Sequence, residues 1–155
     1  MKSSLFIIGA MLFGLSSSAY AADFPLASCS GWGATLVQRT GVDSKRALIT
    51  GIVTQADFAE YCERDPGGET TKYGGKLTVE QCISQYQREV GNQAYRSVAN
   101  CSTRELTFFS PKRKPRTVSF PLPEDADTSC ASGIPPLVAQ FKLLCPTVAA
   151  KYNIE

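Results

Sequence analysis

The chain has 155 residues, of which 43% are hydrophobic, and it carries 16 basic residues against 14 acidic ones. A formal net charge of only +2 gives no global field that would direct the protein to nucleic acid or to another acidic polymer. The sequence contains no histidine, which excludes a Ser–His or Cys–His catalytic pair, a histidine general base, and zinc sites built from histidine and cysteine.

The N-terminus has the pattern of a secretory signal peptide. Lys2 precedes an apolar run from Leu5 to Leu15, and Ala19 and Ala21 stand at the two positions that a signal peptidase reads. The run is shorter than the roughly 20 apolar residues that a membrane span needs. We therefore predict cleavage after Ala21, which leaves one domain over residues 22–155 with no transmembrane segment.

A lipoprotein signal is the alternative for the same region. Residues Leu26 to Cys29 read L-A-S-C, in which the cysteine would carry the lipid. Against this, Asp23 and Pro25 separate the site from the apolar run, and acylation of Cys29 would leave an odd number of thiols. The sequence favours the cleaved secretory signal, and mass spectrometry of the mature N-terminus distinguishes the two.

All six cysteines lie beyond the predicted cleavage site. In an exported domain this even number predicts up to three disulfides, each contributing about 2–4 kcal/mol, with fifteen possible connectivities. Because no two cysteines are closer than fifteen residues, C-x-x-C redox and zinc motifs are excluded. The predicted disulfide residues are Cys29, Cys62, Cys82, Cys101, Cys130 and Cys145.

The sequence suggests one set of pairs. Cys62 and Cys82 end one predicted helix and begin the next, so they are expected to lie close together. A bond between Cys130 and Cys145 would join the last loop to the last helix, which leaves Cys29 for Cys101.

The stretch from Leu77 to Cys101 contains the clearest predicted helix. Thr78 and Gln81 fit a capping box, and Gly91 is predicted to end the helix in a left-handed conformation. An apolar stripe recurs at helical spacing. Its members are Val79, Cys82, Ile83, Tyr86 and Val90.

Two other helices have boundary signals. Thr54 is a predicted N-cap with Asp57 in the first turn, and the turn from Asp65 to Gly68 stops this helix. Near the C-terminus, Pro135 and Pro136 open a helix, and Pro146 kinks it or starts a new turn.

Extended segments predict a small antiparallel sheet. The segment from Arg46 to Val53 reads as a strand that Gly51 interrupts, whereas residues 28–41 are glycine-rich and predicted to be irregular. Trp32, within that irregular part, is expected to cover the edge of the core; the alternative is an exposed recognition residue. The other predicted strands are residues 94–101, 104–109 and 116–121.

Together these elements predict an α+β fold. The small antiparallel sheet would be covered by two or three helices, among them the central and C-terminal ones, and the domain would be stabilised by disulfides.

Carboxylates offer the remaining route to catalysis. Asp57, Glu60 and Glu63 follow helical spacing, and a pair of such groups hydrolyses glycosides only across a cleft that raises one pKa. The acidic loop from Glu124 to Asp127 lacks the spacing and the glycine of a calcium-binding loop. We interpret these carboxylates as solvated surface, and the sequence indicates no catalytic residue, metal site or cofactor.

The only concentrated charge is the tip of a predicted hairpin. The functional interpretation is an anion contact, with an acidic protein patch or an anionic envelope component as partner. The alternative is a solvated loop whose charges deter edge-to-edge aggregation. The residues of this basic tip are Lys112, Arg113, Lys114 and Arg116.

Between Thr54 and Cys101 the chain resembles short exported proteins of unknown function from alphaproteobacteria, including plant- and animal-associated genera. The resemblance covers about a third of the chain, and its motifs are structural. It implies residence in a bacterial envelope or outside the cell, and no activity. The motifs are Ala56-Asp57, Tyr61-Cys62, Asp65 to Gly68, Leu77 to Cys82 and Tyr95 to Cys101.

The sequence as a whole predicts a non-enzymatic binding protein of the periplasm or extracellular space, with a secreted host-interaction factor as a specific form. The alternatives are a carboxylate-dependent envelope hydrolase and an inhibitor of a lysozyme-like enzyme. The oligomeric state does not follow from the sequence.

Overall fold

A computed structural model describes residues 24–155, and the predicted signal peptide at residues 1–21 lies outside them. The described chain forms one six-stranded antiparallel sheet in which the strands lie side by side in sequence order. Four α-helices, two short 3-10 helices and three disulfides complete this part of the chain. The predicted α+β, disulfide-stabilised fold class is confirmed.

The predicted strands correspond to the last three strands of the sheet, with slightly shorter bounds. The strand predicted from Arg46 to Val53 is continuous, because Gly51 leaves room for the Phe24 ring: a Cβ on Gly51 would lie 2.8 Å from Phe24 Cδ1. The strands are β1 Phe24–Pro25, β2 Gly33–Thr40, β3 Ala47–Ile52, β4 Ala94–Asn100, β5 Glu105–Phe109 and β6 Arg116–Ser119.

The prediction of irregular structure over residues 28–41 is wrong for its second half, which forms β2. Thr35, Val37 and Thr40 are β-branched and favour extended backbone, and pairing with β3 supplies the hydrogen bonds of the ladder. A register shift between Leu36 and Gln38 marks a β-bulge in this strand. The glycines that suggested a loop stand at its ends.

The predicted capping box at Thr78 is present, and the predicted N-cap at Thr54 forms a capping box with Asp57 as well. The backbone N of Thr54 donates to Asp57 Oδ2 at 2.6 Å, and that of Thr78 donates to Gln81 Oε1 at 2.9 Å. The prediction for Gly91 is wrong, because its φ is −56° and the left-handed residue is Asn92, with φ 59°. The helices are α1 Gln55–Arg64, α2 Val79–Val90, α3 Pro135–Leu144 and α4 Pro146–Lys151, with 3-10 helices at Thr71–Tyr73 and Cys130–Ser132.

One face of the sheet, here called the covered face, lies under α3. Along β3, Ala47, Ile49 and Gly51 are buried while the alternating residues are half-buried, as the period of a strand with one buried face requires. Phe141 of α3 is fully buried, and its ring centroid lies 4.4 Å from that of Phe120. The helix α3 therefore packs across the strands, whereas α2 packs mainly against α1 and reaches the core through its apolar stripe.

Gln140 fixes the position of α3 on the sheet. This residue is fully buried, and its Oε1 accepts a hydrogen bond of 2.6 Å from Ser97 Oγ on β4. Its Nε2 donates to the carbonyl oxygen of Pro25 at 2.6 Å. One side chain thus joins the helix, a central strand and the first strand.

The disulfides confirm one predicted pair and correct two. Cys62–Cys82 joins α1 to α2 as predicted, but the other bonds are Cys29–Cys130 and Cys101–Cys145. The predicted Cys130–Cys145 and Cys29–Cys101 pairs are wrong. The ten residues of α3 separate Cys130 from Cys145 by about 15 Å at 1.5 Å per residue, well beyond the reach of a disulfide.

Candidate binding surface

Lys112, Arg113 and Lys114 of the basic tip lie on the loop between β5 and β6, and Arg116 is the first residue of β6. Two of the four cations hold this hairpin in place. Lys112 Nζ donates to the carbonyl oxygen of Glu89 at 2.9 Å, in the last turn of α2. Arg116 Nη1 donates to the carbonyl oxygen of Ser132 at 3.2 Å, just before α3. A cation at a helix C-terminus is also favoured by the helix dipole. The β5–β6 hairpin is therefore hydrogen-bonded to the last turn of α2 and to the segment just before α3.

The other two cations of the tip project outward. All four tip residues are exposed, but among residues 24–155 the side chains of Arg113 and Lys114 make no hydrogen bond of the kind that holds Lys112 and Arg116. Arg113 lies close enough to Tyr95 to act on it: burial raises the pKa of the Tyr95 hydroxyl, and the positive charge of Arg113 opposes that rise. The tip thus combines two anchored cations with two projecting ones.

None of the four tip cations forms an ion pair within 4 Å among residues 24–155. In this part of the chain, the ion pair within 4 Å joins Arg64 to Glu60 at 3.5 Å, and both residues belong to α1. The carbonyl oxygens that hold Lys112 and Arg116 carry no net charge. An anion that approaches the tip would therefore meet four cations, none of which is paired with a carboxylate within 4 Å.

The carboxylates of α1 are engaged in local structure. Asp57 caps the helix and accepts hydrogen bonds from Thr35 Oγ1 at 3.2 Å, and Glu60 pairs with Arg64. Asp57, Glu60 and Arg64 line a recess of about 10 Å³ beside Trp32. This volume is about the room that one water molecule needs, and a sugar ring does not fit in it.

Trp32 packs against the core, in agreement with the sequence prediction. Its ring centroid lies 5.8 Å from Phe58, 4.9 Å from Tyr61 and 5.7 Å from Tyr86. The Tyr86 hydroxyl donates to the Glu69 carboxylate at 3.2 Å. Burial raises the pKa of Tyr86 well above its usual value, and the neighbouring Tyr61 and Glu69 add to this. The aromatic rings fill this region, and the recess beside them is too small for a side chain or a ligand ring.

The acidic loop and the turn after α1 use their carboxylates for backbone hydrogen bonds. Asp127 Oδ1 accepts from the backbone N of Ser129 at 2.9 Å, and bonds from Ser129 lower the pKa of Asp127. Asp65 is buried and accepts from the backbone of Glu69 and from Thr70. Within residues 24–155 no group of three or more potential metal-ligating side chains occurs.

The second face of the sheet, here called the open face, was missed by sequence reasoning. Leu48, Ile52, Val98 and Phe109 are half-buried there and belong neither to the core cluster nor to the residues packed against it. Arg96 lies over the Phe109 ring, with its Cζ 4.4 Å from the ring centroid. The alternation along β4 indicated that the strand has two different faces, because Tyr95, Ser97 and Ala99 were expected to lie on one side of it. The register that brings the other residues together cannot be read from one sequence.

No helix within residues 24–155 is long and apolar enough to cross a membrane. Comparisons of the chain with protein-family models, with curated proteins and with solved structures find no match.

Proposed function

We propose that this is an exported, non-enzymatic binding protein whose basic tip contacts an acidic patch on a partner protein. The observation that carries the proposal is the arrangement of the four tip cations. Backbone carbonyls hold Lys112 and Arg116, while Arg113 and Lys114 project from the fixed loop. Preorganised charge loses less conformational entropy on binding than charge on a free loop.

A protein partner fits the tip better than a lipid surface does. The residues that flank the cations are Ser110, Pro111 and Pro115, none of which offers a large apolar side chain for insertion into a bilayer. Without insertion, each cation contributes only about 1 kcal/mol near an anionic membrane, and salt screens this contribution. Carboxylates on a folded partner can form bidentate bonds with Arg113, which adds geometric specificity.

Export is the second part of the proposal. Three disulfides are compatible with an oxidising compartment. The signal-peptide pattern and the resemblance to exported alphaproteobacterial proteins point the same way, towards the periplasm or the extracellular space. A secreted host-interaction factor is the more specific form. Cell fractionation combined with sequencing of the mature N-terminus tests it, and a cytoplasmic protein that retains Lys2 would refute it.

The binding test separates the two kinds of tip cation. The oxidised mature protein is immobilised, and proteins retained from envelope extract and from host-cell lysate are quantified by mass spectrometry at rising salt. We expect Arg113→Ala/Lys114→Ala to lose the salt-sensitive partner, as does the variant in which all four tip cations are replaced. The control is Lys45→Ala/Lys76→Ala, which removes the same charge from exposed sites elsewhere.

Four results would contradict the proposal. A partner retained equally by the quadruple variant would show that the tip is not the site, and equal loss in the control would show an effect of net charge alone. Retention of anionic phosphatidylglycerol vesicles, with no partner protein captured, would assign the tip to a lipid surface. If Lys112→Ala/Arg116→Ala loses binding while Arg113→Ala/Lys114→Ala keeps it, the projecting pair is not the contact.

A further inference from the structure

The centre of the open face is a row of four residues on neighbouring strands. Leu48 of β3 lies opposite Val98 of β4, which lies opposite Thr107 of β5, and Thr107 lies opposite Thr117 of β6. Directly opposite residues in an antiparallel sheet point to the same side. Leu48 and Val98 are half-buried without being packed against the core. Over β3–β6 this central row is therefore apolar on β3 and β4 and carries hydroxyls on β5 and β6, and Thr40 of β2, opposite Leu48, adds a hydroxyl beyond the apolar pair.

Opposite charges lie at equal distances on either side of the central row. On one side Arg96 pairs with Phe109, and on the other Asn100 pairs with Glu105. Each of these rows is two residues from the centre, or about 7 Å along the strands. The Arg96 guanidinium lies over the Phe109 ring, so its charge stands above β5, the strand that also carries Glu105. Neither Arg96 nor Glu105 forms an ion pair among residues 24–155.

We propose that the open face is the interface of a twofold-symmetric homodimer. A twofold axis along the central row lays the Arg96–Phe109 row of one copy over the Asn100–Glu105 row of the other. Because the guanidinium stands above β5, it faces the Glu105 carboxylate of the second copy. The symmetry forms this ion pair twice, as an isologous interface requires.

The charge pattern favours a second copy over other occupants. An anionic membrane or a uniformly acidic partner would meet Glu105 as well as Arg96, and like charges at an interface are repulsive. A second copy presents a cation to each carboxylate and apolar side chains to Leu48 and Val98. Stacking on Phe109 also holds Arg96 in an extended position, and arginine is common among residues that dominate interface energies.

The size of the face predicts a weak dimer. Strands about 4.8 Å apart, with about 3.4 Å per residue, give the part over β3–β6 sides of about 19 Å. Two such faces would bury on the order of 1,000 Å² in total, at the lower limit for a specific interface. We therefore expect dissociation in the micromolar range. The basic tips would lie at opposite ends of the dimer and stay free.

The test is a charge-swap cycle on the oxidised mature protein, followed by sedimentation velocity over micromolar to millimolar concentrations. Arg96→Glu alone and Glu105→Arg alone each place like charges together twice, and we expect the dissociation constant to rise at least about 10-fold. The double variant Arg96→Glu/Glu105→Arg restores the pairing and should return the constant to within about threefold of the original. Lys76→Glu, an exposed reversal outside the face, is the control and should change nothing.

A second pair of variants tests the apolar centre without charge. Val98→Thr keeps the β-branched shape and the strand propensity, and we expect weaker dimerisation with the fold intact by circular dichroism. Val42→Thr makes the same change at a 40% exposed position in the loop before β3, next to Asp43, which is hydrogen-bonded to the end of α3, and should leave the dimer unaffected. A monomer at every concentration, single charge variants with unchanged dissociation, or a double variant no better than the singles would overturn the proposal.

Discussion

The covered and open faces belong to the same six strands, yet they differ in what contacts them. On the covered face, small residues such as Ala47, Gly51 and Ala99 let α3 and Phe24 approach closely, and the residues are buried. On the open face, Leu48 and Val98 alternate with them and remain half-buried beside Thr107 and Thr117. Apolar content by itself therefore did not decide which face is covered. The covered face is the one against which α3 packs its large side chains and forms the hydrogen bonds of Gln140 to Ser97 and Pro25.

The largest expected difference between the faces concerns two phenylalanines. Phe141→Ala removes a fully buried ring and should lower the free energy of unfolding by about 3–5 kcal/mol. Phe109→Ala removes a half-exposed ring from the open face and should cost at most about 1 kcal/mol. Urea denaturation of the oxidised monomer, at dilution, measures both values. Equal losses would mean that the open face is covered in solution.

The loss of a hydrogen bond should likewise cost more stability on the covered face than on the open face. Gln140→Leu leaves the part-buried Pro25 carbonyl without its donor and the buried Ser97 hydroxyl without its acceptor, and should cost about 2–4 kcal/mol. Thr107→Val breaks the exposed 3.0 Å hydroxyl pair with Thr117, where water replaces the lost partner, and should change stability by less than about 0.5 kcal/mol. The free energy of unfolding in urea tests the pair. A Gln140→Leu variant as stable as the parent would show that apolar packing alone seats α3.

The turn after α1 offers a test that depends on pH. Burial raises the pKa of Asp65, but hydrogen bonds from Thr70 and Glu69 outweigh it and leave the pKa below its usual value. The carboxylate therefore stabilises the fold above its unfolded-state pKa, near 3.9, and this contribution is lost as the pH falls through the lower folded-state pKa.

We expect Asp65→Asn to lower the urea midpoint at about pH 7 and to lower it less at about pH 2.5. Asp127→Asn is the control, because Asp127 makes similar bonds to Ser129 at an exposed turn and should have a smaller effect. A loss in Asp65→Asn that is independent of pH would contradict the role of the charge. The difference between the two losses of stability, at Asp65 and at Asp127, measures how much more the same kind of hydrogen bond contributes at a buried site than at an exposed one.

The smallest effect is expected at the basic tip, which lies outside both faces. Lys112→Met loses the bond to the Glu89 carbonyl and the favourable position at the end of α2, at a cost of about 0.3–1 kcal/mol. Lys114→Met removes the same charge from an exposed side chain and should leave stability unchanged. Thermal unfolding at low salt compares the two. If both lose the same amount, Lys112 does not fasten the hairpin.

What the sequence predicted correctly rests on short-range interactions. The N-caps at Thr54 and Thr78 formed because each cap joins residues three apart, and the Cys62–Cys82 bond joins two helices that follow one another in the chain. The basic tip was also visible, because its cations are neighbours in the chain. Its anchoring on Glu89 and Ser132 was not, since those carbonyl oxygens lie far away in sequence.

The sequence by itself determined the three helices whose caps and prolines are local, the last three strands, the number of cysteines available for pairing, and the absence of histidine chemistry. The tertiary structure decided the partners of Cys29, Cys101, Cys130 and Cys145, the strand at residues 33–40, and the face that α3 covers. The disulfide partners and the position of α3 depend on contacts between residues more than forty apart, whose geometry no local pattern encodes, whereas β2 depends on its pairing with the neighbouring strand β3. The opposed positions of Arg96 and Glu105 were also decided by the tertiary structure, because the register of β4 and β5 sets them on either side of the central row.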